Sequence, residues 1–252
     1  MSCFITNQQF KSLQKRIETL ILNSIELTFL VGYFYFSGIK EFYEELKTNS
    51  QVILKVLVGL DADLVNNKLI EIAFDKAFSD EDKFLSFLNS IKRAINSEFF
   101  DNKEFYEQVR FFVQLIKDDR LIIRKTNRPN HSKLYLFYLN ENQIGKNKLF
   151  ITGSSNLTAP GIAKRDEFNV EISDFGFAEA EKYFDDLWND AVLITEHEEY
   201  KNELIHTIEN KTLVKQISPF EAYCYVIKNY LETFRLQSLK ESIIKLFEDK
   251  GY

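Results

Sequence analysis

The chain has 252 residues and a formal net charge of −6; 45% of its residues are hydrophobic and 15% aromatic. That much apolar material supports a full core and excludes a disordered chain, and the acidic balance argues against a surface coated in positive charge. Two cysteines, Cys3 and Cys224, are too few and too far apart for a disulfide framework or a Cys-based zinc site, which fits a reducing cytoplasm.

No basic start followed by an apolar run opens the chain, so a secretory signal is not expected. The nearest approach to a membrane span, Leu27 to Phe36, is ten residues, well short of the roughly 18 that a bilayer needs. Phe10, Leu13, Ile17, Leu20 and Ile21 recur at helical spacing and predict a helix over 8–23. Glu26 to Phe36 is β-branched and aromatic and breaks at Ser37-Gly38, which predicts a strand and then a helix over Ile39–Lys47. Gln51 to Leu60 is nearly all apolar, as a strand covered on both faces should be. Residues 64–117 read as mainly helical, with boundaries near Asp80 and Asp101. Strands return at Leu121–Lys125, Lys133–Leu139, Lys148–Thr152 and Glu167–Ser173, with Asn140–Asn147 as a polar hairpin loop. Phe175 to Val192 is a helix with Phe177, Ala180, Phe184, Leu187 and Trp188 on one face. From Glu196 the pattern is helical only, broken at Ser218-Pro219, an N-cap followed by a first-turn proline. Alternating strands and helices predict an α/β class, with a domain over 1–195 and a small helical extension over 196–252.

Two short segments carry chemistry. His131-Ser132-Lys133 comes first, and Gly153-Ser154-Ser155-Asn156 follows. Two residues apart on a strand, His131 and Lys133 would point to one face. An imidazole can attack phosphorus or carry a proton, and an ammonium can neutralise a non-bridging oxygen. Asn156 offers amide donors, Ser154 or Ser155 a hydroxyl, and Gly153 a tight turn whose N–H groups can approach an anion. From Arg120 to Asn140 there are five basic residues (Arg120, Arg124, Lys125, Arg128 and Lys133) and no acidic one. Beside such a site, Lys125 and Arg128 become candidates for binding an anionic substrate.

In this order, between strands, the segments resemble the signature of the phospholipase D superfamily: His-x-Lys, then Gly-Ser-x-Asn, then an acidic residue on the next strand. The match covers roughly residues 120–175. The resemblance implies a mixed β-sheet sandwiched between helices and a phosphodiesterase that needs no metal or cofactor. It implies His131 as the nucleophile forming a phosphohistidine, Lys133 and Asn156 binding phosphate, and Ser154 hydrogen-bonding near it. Glu167, with Glu171 as the fallback, would buttress the histidine. Two departures stand out. The position five after Lys133, often Asp in the family, is Tyr138. The family's site also uses two facing histidine motifs, and neither His197 nor His206 is followed by Lys two residues later. A complete site would then need a C2 homodimer.

The segments FLVGYFYFSGIKEF, HSKLYLF and GSSNLTAPGIAKRDEFNVEI resemble phospholipase D-like domains of bacterial DNA-processing proteins, found with helicases and as restriction-type nucleases. No Gly-x-x-x-x-Gly-Lys-[Ser/Thr] phosphate loop occurs, so an ATPase engine would belong to a partner domain or subunit. The leading expectation is a cytoplasmic, homodimeric DNA endonuclease, with RNA as the alternative substrate. The second is a non-cleaving DNA-binding or docking module of a helicase or restriction complex. A lipid phosphodiesterase comes third, because no Lys-rich amphipathic segment suited to a membrane surface is evident.

Overall fold

In a computed structural model of the chain, the described residues are 3–7, 12–34, 36–60, 78–97, 103–140, 147–164 and 166–212, with 223, 227, 230 and 231. Eight strands form one mixed sheet: β1 (Cys3–Ile5), β2 (Ser24–Val31), β3 (Ile53–Val58), β4 (Leu121–Lys125), β5 (Leu134–Leu139), β6 (Lys148–Gly153), β7 (Asn169–Ile172) and β8 (Val192–Leu193). Their order is β1-β7-β6-β5-β2-β3-β4-β8. Strands β2, β3 and β4 run parallel, and every other pairing is antiparallel.

Strand alternation sorts the apolar residues onto two faces. On one face, Leu27, Phe29 and Val31 of β2, Val56 of β3 and Tyr135 and Phe137 of β5 join the larger core. That core also takes side chains from α1 (Leu13–Leu22), α3 (Tyr43–Thr48), α4 (Asp80–Ser97), α5 (Lys103–Lys117) and α7 (Glu198–Thr212). On the other face, Leu30, Leu57, Leu134, Leu136 and Phe150 pack with Phe184 and Trp188 of α6 (Phe177–Asn189). Helix α2 (Phe36–Lys40) and a π-helical turn over Pro160–Lys164 complete the elements. The fold is the mixed sheet between helices that the sequence predicts.

Boundaries differ in informative places. The helix expected over Ile39–Lys47 is two short ones, α2 and α3. Strands β1 and β8 were not expected. β1 has three residues, of which Ile5 is buried, and β8 has two, so neither is long enough to display a period; both are recruited by pairing with β7 and β4. The chain divides into two compact units, Met1–Val214 and Lys215–Tyr252. Helix α7, which the sequence reading gave to the extension, packs within the first unit: Tyr200 stacks on Phe84 of α4 at 4.1 Å, and Glu209 pairs with Lys117 of α5 at 3.0 Å. Burial of Leu204, Ile205 and Ile208 against the main core is the physical reason. The expected helix over 64–77, the loop tip at 141–146 and the Ser218-Pro219 cap lie outside the described residues.

Candidate active site

The two motifs meet above the carboxyl end of β2. Gly153 ends β6 where the chain crosses β7 so closely that a Cβ would sit 2.3 Å from the Phe168 carbonyl oxygen. Ser155 is fully buried; its Oγ accepts from Asn169 Nδ2 at 2.9 Å and its carbonyl accepts from the Tyr135 hydroxyl at 2.6 Å. These bonds lock the turn from below. Asn156 then emerges partly exposed, and its Oδ1 accepts the backbone N–H of Tyr33 at 3.1 Å. With the carbonyl end of the amide so occupied, the NH₂ end remains as the donor.

Gly32 and Tyr33 form the floor, and the sequence reading did not single them out. A Cβ on Gly32 would lie 3.0 Å from Asn156 Oδ1 and 3.7 Å from Lys133 Nζ, so the two phosphate-binding candidates converge over a position kept bare. The Tyr33 ring stands edge-on to the His131 ring, centroids 6.5 Å apart. The signal was available: a glycine inside an apolar strand run marks a close approach by another group. The same segment is tied to the second motif again by the Phe34–Leu157 bridge and by Gly38, whose Cβ would fall 2.3 Å from the Leu157 carbonyl oxygen.

His131 is exposed and precedes β5, which begins at Leu134. Strand alternation therefore does not reach the His131–Lys133 pair. Lys133 instead turns back, and its Nζ donates to the His131 carbonyl at 2.5 Å. Partial burial holds the Lys133 pKa below the ordinary lysine range, and the negative charge of Glu167 offsets part of that shift. Glu167 accepts a hydrogen bond from the Ser154 hydroxyl, which itself accepts from Phe168 N at 3.1 Å. Burial, then the charge of Glu167, pushes the Tyr135 hydroxyl pKa up. Glu171 is taken by Arg16 of α1 at 2.5 and 2.7 Å.

The basic run divides. Arg128 is exposed. Lys125 is buried, with 4% of its surface exposed, and donates to the Gly59 carbonyl at 3.2 Å. Alternation along β4 explains this, since Leu121, Ile123 and Lys125 share the buried face. Tyr138, at the position often Asp in the family, donates to Glu181 of α6 at 2.9 Å. Of the other histidines, His197 packs on Tyr200 and His206 contacts Asn210. Among the described residues, no cluster of three or more His, Cys, Asp and Glu side chains could hold a metal ion, and no helix is long and apolar enough to cross a membrane.

No protein-family model matches the sequence, and no curated protein matches it. Solved structures that resemble it include Nuc from Salmonella typhimurium, described as a phospholipase D family member, at 14% identity and TM-score 0.40 over 76% of this chain and 95% of that one. A phosphatidylserine synthase from Haemophilus influenzae Rd KW20 matches at 16% identity and TM-score 0.47, over 89% of this chain and 46% of that one, so this chain spans less than half of its length. NucT from Helicobacter pylori matches at 9% identity and TM-score 0.40, over 77% and 98%. The sheet carries His-x-Lys into the loop before β5 and Gly-Ser-x-Asn into the turn after β6, beside the Gly32–Tyr33 floor.

Proposed function

We propose that the chain is a metal-independent phosphodiesterase acting on DNA, with a site shared between two copies in a homodimer. What supports the reading above all is the convergence of Lys133 Nζ and the Asn156 amide over Gly32, beside the loop that carries His131. An ammonium and an amide NH₂ are the donors that two non-bridging phosphoryl oxygens need. In the first step a neutral His131 nitrogen attacks phosphorus as the bond to the leaving oxygen breaks. The symmetry-related histidine of the second copy protonates that oxygen, which departs as an alcohol. In the second step that histidine takes a proton from water, the water oxygen attacks phosphorus, and the phosphorus–nitrogen bond breaks to give a phosphomonoester and free His131. Service in a helicase-linked or restriction system belongs to the same reading, on the resemblance of the flanking segments.

The test uses plasmid and single-stranded DNA with EDTA, comparing the chain with its His131→Ala variant. Nicking by the chain that the variant loses supports the proposal. DNA binding by both proteins with cutting by neither identifies a docking module instead. A strict monomer in light scattering at micromolar concentration, still fully active, overturns the shared site.

A further inference from the structure

His131 lies in a stretch without regular structure, yet its flanks are pinned from several directions. Thr126 donates its hydroxyl to the Arg128 carbonyl at 2.6 Å, and Asn130 N donates to the Gly59 carbonyl at 3.2 Å. Gly59 allows this because a Cβ there would lie 1.9 Å from the Asn130 carbonyl oxygen. Asn130 Oδ1 accepts Ser132 N at 2.8 Å, closing a small turn around His131. From α6, Tyr183 reaches both shoulders of that turn: its hydroxyl accepts from Asn130 Nδ2 at 3.1 Å and lies 3.4 Å from Ser132 Oγ. A phenol hydroxyl can accept one bond while donating another, so a single oxygen can hold both residues.

The geometry points to Tyr183 as a positioning residue for His131, acting through Asn130 and Ser132. Its ring comes from the helix that covers the smaller core, where Phe184 next to it is buried and stacks on Trp188 at 5.3 Å. The helix axis is thereby fixed, and the hydroxyl of Tyr183, an exposed residue, is carried to the histidine turn on a rigid support. Orientation of a nucleophile matters steeply, because a misplacement of about 1 Å can cost on the order of 100-fold in rate. The consequence for the reaction rests on the phosphodiesterase reading; the consequence for the histidine ring does not.

The experiment compares the chain with Tyr183→Phe, which keeps the ring and removes the hydroxyl. Imidazole signals are followed by NMR in histidine-labelled protein, His131 being assigned through His131→Ala. The expected result is a shifted or broadened His131 signal with His197 and His206 unmoved, and a kcat lower by roughly tenfold with KM within about twofold. An unchanged His131 signal overturns the assignment, whatever the rate does. Movement of all three histidines also overturns it, because it reports a loosened fold rather than a loosened turn. If the parent chain itself cuts no DNA, the phosphodiesterase reading fails, and the His131 signal alone still decides the role of Tyr183.

Discussion

Two short runs of basic residues lie side by side in this chain and come to opposite ends. In Arg120–Lys125 every cation is spent on the fold. Arg120 donates to the Val52, Leu46 and Asn49 carbonyls at 3.3, 2.9 and 2.9 Å. Arg124 pairs with Glu196 at 2.5 Å and lies 4.3 Å over the Trp188 ring, and Lys125 is buried against Gly59. In Arg128–Lys133, beyond the end of β4, Arg128 is exposed and Lys133 stands over Gly32 beside Asn156. The residue types are the same; what differs is whether the backbone is held in the sheet. A basic run read from sequence reports a local charge surplus, and only the strand register tells which of its members face solvent.

The largest expected effect that tests this contrast is at Lys133. Lys133→Ala should lower EDTA-resistant cleavage about 1,000-fold, or about 4 kcal/mol of transition-state stabilisation, with an unchanged circular dichroism spectrum. A rate within a few fold of the parent would erase the distinction between the runs. Next comes Arg120→Ala, which removes a charged donor from three carbonyls and should destabilise by about 2–3 kcal/mol in urea unfolding, while cleavage per folded molecule stays unchanged. A variant of full stability but reduced rate would reverse its role. The smallest effect is a titration. Burial lowers the Lys133 pKa and the Glu167 charge raises it. Glu167→Gln removes the raising influence, so Lys133 should lose its proton at still lower pH, and the alkaline limb of residual activity should move the same way. Carbon-13 signals of labelled lysine follow this without activity; an upward move would mean that Glu167 does not act on Lys133.

Much of this molecule is legible in its sequence. The pattern of apolar residues and polar breaks places β4 residue for residue, and β5 and β6 to within one. The motif pair was legible from residue order alone. The floor of the site was less so. Gly32 and Tyr33 lie inside an apolar strand run, and their role depends on Asn156 arriving from 123 residues further along the chain. Tyr183 was hidden for a similar reason. It sits on a helix whose apolar face accounts for the pattern, and the contact to Asn130 spans 53 residues. Ser155 and Lys125 look like ligand donors as residue types, but one closes a turn onto Asn169 and the other faces the core.

The bond from Tyr33 to Asn156 also sets an order of events. Its two ends are 123 residues apart, so the loop it closes is among the later contacts a growing or refolding chain can make. Until β6 has taken its place beside β5, Asn156 has no fixed orientation and Lys133 lacks it as a neighbour over Gly32. On the proposed reading, a nascent chain that stops short of the second motif has His131 and Lys133 but lacks the Asn156 amide that would share a phosphate with the lysine. Competence to cleave would, on that reading, arrive only with the completion of the sheet.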